Sequence, residues 1–163
     1  IKTAIGAAAG NVQRTLELWA YFTHCKLQSS HHSLALKNAM SSAYKAKNYI
    51  NAASFARRLL ELPEMASERN SDLRGTAQKV LQKSEQQGRN EIQIDYDEMN
   101  PFSLNCATLT PIYKGSPEVK GAYCLSVYAP DGKGAVCNTC SVCEVGVQSV
   151  GLVCSAAPTR GGK

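Results

Sequence analysis

The sequence predicts an α+β chain: helical hairpins over residues 1–90, packed with a small antiparallel β-sheet or partly closed barrel over residues 91–163. Three observations carry this expectation. Apolar residues recur at three- and four-residue steps only in the first part, whereas the second alternates apolar and polar residues between Gly, Pro and Asn clusters. Charge divides in the same place, with 13 Lys+Arg against 8 Asp+Glu in residues 1–95 and 5 against 5 in residues 96–163, so the whole +5 lies in the helical part. Cysteine divides the other way, since six of the seven follow residue 95 and only Cys25 precedes it. A 163-residue chain that is 44% apolar buries about 70% of its unfolded surface, which excludes a disordered chain or a disulfide miniprotein. No stretch reaches the roughly 18 apolar residues of a membrane span. The odd cysteine count, with a pair at CxxC spacing, points to a reducing compartment. A chain that opens on Ile1 reads as a piece of something longer.

Taken in order, the first helix runs from Asn11, its N-cap, to Leu27, with Val12, Leu16, Trp19, Phe22 and Cys25 along one stripe. A second follows Ser30 and presents Leu36, Ala39, Met40, Ala43 and Tyr44. The third, from Asn48 to Leu62, carries Ala52, Phe55, Ala56, Leu59 and Leu60 and is stopped by Pro63. Alanine on facing sides of the second and third lets them approach closely as a hairpin. A fourth helix spans Ser71 to Gln87, with Leu73, Ala77, Val80 and Leu81, and ends at Gly88. The Ala, Tyr, Ala and Phe spacing resembles a tetratricopeptide-type unit, which needs about three stacked copies for a continuous core. One copy is visible, so the helices read as the end of an α-solenoid.

The β-rich part begins with Ile92 to Tyr96, a strand by its alternation, and a turn at Asn100-Pro101-Phe102. Strand patterns follow at Leu104 to Tyr113, Ala122 to Ala129, from Ala135, Val142 to Val147 and Val150 to Cys154, with a loose tail from Pro158 to Lys163. Asp131-Gly132, inside the polar loop 130–134, marks a hairpin between two of them.

Cys137-Asn138-Thr139-Cys140 sets two thiols at the spacing that folds over one Zn²⁺. Cys124 lies one hairpin upstream as a third ligand, and Cys143, Cys106 and Cys154 are the candidates for the fourth. The competing reading makes these buried, reduced cysteines that serve as small apolar residues. A thioredoxin-like role is set aside, because a β-hairpin lacks the helix N-terminus that lowers a redox thiol's pKa. His24, Cys25, His31 and His32 read as solvated or capping groups separated by the stop at Ser29-Ser30. Arg57, Arg58 and nearby lysines form a basic face, too dilute over 95 residues for a strong nucleic-acid signature. No Ser/His/Asp set, phosphate loop or acid pair in an apolar setting stands out, and Asp95, Asp97 and Glu98 read as a solvated turn, so the chain is not expected to be an enzyme.

Tyr21–Gln28, Ala53–Leu62, Asn100–Phe102 and Thr110–Gly115, then Gly134–Cys137 and Val150–Ser155, resemble in order and interval the carboxy-terminal region of coatomer alpha subunits, over roughly residues 17–155. The resemblance implies a non-catalytic interaction module of the COPI vesicle coat that binds epsilon-COP, a tetratricopeptide-repeat subunit, and other coatomer subunits. It further implies retrograde Golgi-to-ER transport, a cytoplasmic location on Golgi membranes and COPI-coated vesicles, and membrane contact only peripherally, through the assembled coat. Some members carry a CxxC…CxxC knuckle, which Cys124, Cys137 and Cys140 match while Gly121 departs from its first position; Cys143 substitutes in the expected zinc set of Cys124, Cys137, Cys140 and Cys143. Partner contact is expected from Trp19, Tyr21, Phe22, Tyr44, Tyr49 and Tyr113. No nucleic-acid partner is expected; the alternative is a zinc-knuckle nucleic-acid-binding module that uses the basic helices.

Overall fold

The computed structural model describes residues 1–147. The chain forms two compact units, one spanning Ile1–Pro101 and one beginning at Phe102. The expected strand Val150 to Cys154, Cys154 itself and the tail from Pro158 lie outside the described residues.

The first unit contains five helices: α1 (Lys2–Ala7), α2 (Val12–Phe22), α3 (Ser29–Lys45), α4 (Tyr49–Leu60) and α5 (Ser71–Gln87), with two 3₁₀ turns at Pro63–Ala66 and Glu68–Asn70. Asn11 caps α2 as its composition suggests, its side chain accepting the Arg14 N–H at 3.0 Å. The core joins Leu16 and Ala20 of α2, Leu36, Ala39, Met40 and Ala43 of α3, and Ala52, Phe55, Ala56 and Leu59 of α4, closed by Met65 and Ala77. Four of the eight residues that α3 and α4 give to this core are alanines facing a partner helix, the small-residue contact that their stripes predict. Gly88, at φ 58°, ends α5 in the left-handed conformation that glycine adopts without strain. Among the described residues no helix is long and apolar enough to cross a membrane.

Ile92 to Tyr96 is not a strand. It runs as an irregular segment, bent so that the Tyr96 N–H donates to the Ile94 carbonyl at 3.0 Å, with Ile92, Ile94 and Tyr96 packed against the core and Gln93 and Asp95 exposed. Its alternation is real, but it records a one-sided apolar surface, and such a surface is met equally well by a helical layer and by a sheet. Backbone pairing comes instead from Asn48, which is fully buried. Its Nδ2 donates to the Ile92 carbonyl, and the Ile92 N–H donates to its Oδ1, both at 2.8 Å. The first unit therefore extends to Pro101 and not to residue 90.

In the second unit β1 (Phe102–Leu104) pairs antiparallel with β2 (Pro111–Tyr113), in the register Phe102 to Tyr113. β3 (Val119–Lys120) pairs antiparallel with β4 (Val127–Tyr128). The long strands expected over Leu104 to Tyr113 and Ala122 to Ala129 are each broken by a turn, at whose ends Leu109 and Leu125 take φ 55° and 58°. Loop 130–134 holds a 3₁₀ turn at Pro130–Gly132. Val142 to Val147 contributes single bridges, Val136 to Glu144 and Gly121 to Val145, in place of a strand. Among the described residues the two ribbons form separate two-stranded sheets, and no partly closed barrel is found. Tyr128, Cys137 and Val145 make a small core, against which Cys106, Cys124, Cys140 and Cys143 pack.

Candidate metal centre

Two similar turns build this site. In one, Gly121-Ala122-Tyr123-Cys124 is closed by the Leu125 N–H donating to the Gly121 carbonyl at 3.0 Å. In the other, Cys137-Asn138-Thr139-Cys140 is closed by the Ser141 N–H donating to the Cys137 carbonyl at 2.8 Å. Leu125 and Ser141, each directly after a cysteine, both take positive φ, 58° and 57°. Ser141 thereby turns the chain back after Cys140, so that Cys143 returns beside Cys137, whose N–H donates to the Cys143 carbonyl at 2.8 Å.

The result is a cluster of four sulfurs, those of Cys124, Cys137, Cys140 and Cys143, all within 4.8 Å of one another. Cys124 Sγ lies 3.3 Å from Cys137 Sγ, and Cys140 Sγ lies 3.4 Å from Cys143 Sγ. These separations are far beyond the roughly 2.05 Å of a disulfide. Together with the 4.8 Å upper limit, they bracket the roughly 3.8 Å that separates ligands on a tetrahedron with Zn–S bonds of about 2.3 Å. Among the described residues no other group of three or more His, Cys, Asp and Glu gathers in this way. Of the other candidates for the fourth ligand, Cys106 turns its thiol toward the Leu104 carbonyl at 3.9 Å.

Cys137 is completely buried, and its thiol is nonetheless pulled down to about 5. The main cause is the Tyr128 hydroxyl, 3.1 Å from its sulfur; burial acts in the opposite direction, and hydrogen bonds from the Cys140 and Thr139 backbone and from Cys124 add to the lowering. The one Tyr128 O–H is shared between the Cys137 sulfur and Asn138 Oδ1, to which it donates at 2.6 Å, and Asn138 Nδ2 donates to the Cys106 carbonyl at 3.1 Å. Neither Tyr128 nor Asn138 stands out in the sequence. A hydroxyl or amide beside a thiol carries no spacing signature of its own.

The residues expected to meet a partner have different fates. Tyr21 is 1% exposed, a core residue whose hydroxyl donates to the Asp95 carbonyl at 2.6 Å; it is no surface residue, because it bonds to a distant segment that helix periodicity does not reveal. Trp19 and Phe22 form a tilted pair, Tyr44 and Tyr49 an edge-on pair, and Tyr113 stacks edge-on to Phe102, all five partly exposed. Large exposed apolar side chains that no sequence pattern singles out flank the thiols: Tyr123 at 76%, Leu125 at 69%, Val136 and Val142. Both arginines of the basic face have partners within the helical unit. Arg57 pairs with Glu85 at 3.0 Å, and Arg58 turns inward to Thr23 at 3.1 Å and toward Glu98 at 3.8 Å.

Residues 3–160 match the family described as the C-terminus of the coatomer (COPI) alpha subunit. Coatomer subunit alpha of Dictyostelium discoideum is 47% identical over 141 residues, covering 85% of this chain and 11% of that protein. Coatomer subunit alpha-1 of Arabidopsis thaliana is 40% identical over 147 residues, covering 90% and 12%. Coatomer subunit alpha of Saccharomyces cerevisiae is 32% identical over 143 residues, covering 88% and 12%. The chain thus spans 11–12% of the length of these relatives. By a match that runs through both units, it belongs to the family formed by the C-terminus of the coatomer (COPI) alpha subunit.

Proposed function

We propose that the chain is a non-catalytic protein-interaction module of the COPI coat, binding epsilon-COP and, through the assembled coat, other coatomer subunits. In this reading it works on the cytoplasmic face of Golgi membranes and on COPI vesicles in retrograde Golgi-to-ER transport, and touches membrane only peripherally. Its helices then continue the end of an α-solenoid. The family match over residues 3–160 carries the proposal. Supporting it, large apolar side chains stand exposed in both units, Val12, Leu34, Ile50 and Met99 in the first and Tyr123, Leu125, Val136 and Val142 in the second. Exposed apolar surface of this kind is what a stable partner covers. Contact is assigned to the exposed Tyr123 and Leu125 together with the partly exposed Trp19, Phe22, Tyr44, Tyr49 and Tyr113.

The test is co-elution of the purified chain with epsilon-COP in size exclusion at micromolar concentration. Separate elution overturns the proposal. Binding of random RNA with a steep loss of affinity on raising salt would favour the nucleic-acid reading instead; the pairing of Arg57 and Arg58 with acidic residues argues against it.

A further inference from the structure

We infer that Cys124, Cys137, Cys140 and Cys143 hold one structural zinc ion, with the fourth ligand supplied by Cys143 from the returning segment because position 121, where the pattern of paired turns would set it, is a glycine. The two turns are equivalent in conformation, so Gly121 occupies in the first turn the place that Cys137 occupies in the second. A Cβ at Gly121 would stand 3.1 Å from Cys124 Sγ, 3.1 Å from Cys143 Sγ and 3.8 Å from Cys137 Sγ. The Cys143 sulfur therefore fills the space that a side chain at 121 would enter. Gly121 has no positive φ, so its backbone would accept a side chain, and one placed there would press on two sulfurs that must give by a few tenths of an ångström.

Register explains how Cys143 reaches that place. Val145 bridges Gly121, its N–H donates to the Ala135 carbonyl at 2.9 Å, and the Gly146 N–H donates to the Lys120 carbonyl at 3.0 Å. Residues 143–146 thus run between the two turns and hold both. Four thiolates suit zinc among the common divalent ions because soft sulfur ligands and tetrahedral geometry favour it, and a closed set of four leaves no position open for a substrate, the mark of a structural site. Binding deprotonates the thiols and releases their protons to solvent, with no change of oxidation state.

The site is tested on the whole chain, purified from zinc-supplemented cells. The expected result is one zinc per chain by plasma mass spectrometry, and, on exchange with Co²⁺, the intense ligand-field bands of a tetrahedral tetrathiolate. Cys143→Ser should lower zinc affinity by more than the roughly 10–100-fold that loss of an outer hydrogen-bond partner brings, for which Tyr128→Phe is the internal comparison. Cys106→Ser should leave zinc content unchanged. Since Cys143→Ser alone can fail by misfolding, Gly121→Cys is combined with it, and recovery of zinc and of the cobalt bands in the double variant supports the exchange of ligand position. Zinc far below stoichiometric in the parent chain, an iron–sulfur chromophore in its place, or a Cys143→Ser variant with undiminished affinity and unchanged cobalt bands would each overturn the assignment. Co-elution with epsilon-COP reads out the coat role separately, so either proposal can fail without the other.

Discussion

The helical unit and the cysteine unit are stabilised by different physics. The first buries leucines, alanines, Phe55 and two methionines in a continuous core, so water exclusion suffices to hold it. The second buries Tyr128, Cys137 and Val145 among thiols, with only two-residue and three-residue strands to organise them. An apolar cluster that small does not offset the entropy of ordering several irregular turns. The difference indicates that the second unit relies on its thiol cluster where the first relies on an apolar core, and the proposed zinc ion is the group that would make four converging thiols stabilising.

Metal removal gives the largest expected effect and separates the units most sharply. Structural zinc in small domains is worth about 10–16 kcal/mol of apparent binding energy. A strong chelator at neutral pH should therefore abolish amide-exchange protection at Cys137 and Val145 while leaving Ala56 and Leu59 protected. Equal loss in both units, or none in either, would break the comparison. The reciprocal experiment is Phe55→Ala, which empties a site 2% exposed at the centre of the helical core. It is expected to destabilise the helical unit by about 3–5 kcal/mol, read from denaturant midpoints, without changing zinc content.

How much of this was legible beforehand differs between the units for a related reason. Stripes such as Ala52, Phe55, Ala56 and Leu59 fix a helix and its buried face together, and α5 begins at Ser71 and ends at Gln87 as its composition indicates. Cys137 and Cys140 stand out by CxxC spacing; Cys124 is expected through a hairpin across loop 130–134, whereas it comes in on the turn between β3 and β4, which pair with each other instead. Cys143 is legible too, since it follows Cys140 at a second CxxC spacing; what the sequence does not show is how it arrives, through the left-handed turn at Ser141 and the bridge between Gly121 and Val145. Tyr21 misled because helix periodicity shows which side is apolar but not which distant segment covers it. Asn48 passed unnoticed for the same reason, since its partner lies 44 residues away.

That asparagine provides the next test, intermediate in size. Asn48→Ala removes both side-chain partners of Ile92 and leaves its N–H and carbonyl without them beside the helical core. Losing the partner of a polar group costs about 1–3 kcal/mol when the group is buried and less where, as at the half-buried Ile92, water can reach it. A loss of about 1–3 kcal/mol in the helical unit is expected, with increased proteolysis in 90–101. If stability holds within about 0.5 kcal/mol, the clamp is ornamental and the segment is held by Ile92, Ile94 and Tyr96 alone.

The smallest effect is a pH dependence confined to the helical unit. His24 is held at about 4, below its ordinary 6.5, first by burial against its neighbours and then by the Arg58 guanidinium, with His32 adding to the lowering and Glu98 opposing it. His32 is lowered in the same direction, by burial and Arg58, against Glu64. The unfolded chain therefore binds more protons than the folded one between these values. Stability contributed by the neutral imidazole is complete above pH 6.5 and is lost as pH falls toward 4, below which it changes no further. His24 as a residue remains exposed, so solvent screens its charge and keeps the effect small. His24→Gln should flatten the fall in thermal midpoint between about pH 7 and pH 5 by only a few degrees. A steeper fall in the variant would reverse the assigned direction, and parallel curves would mean that the Arg58, Tyr96 and Glu98 cluster holds its geometry whatever the charge on His24.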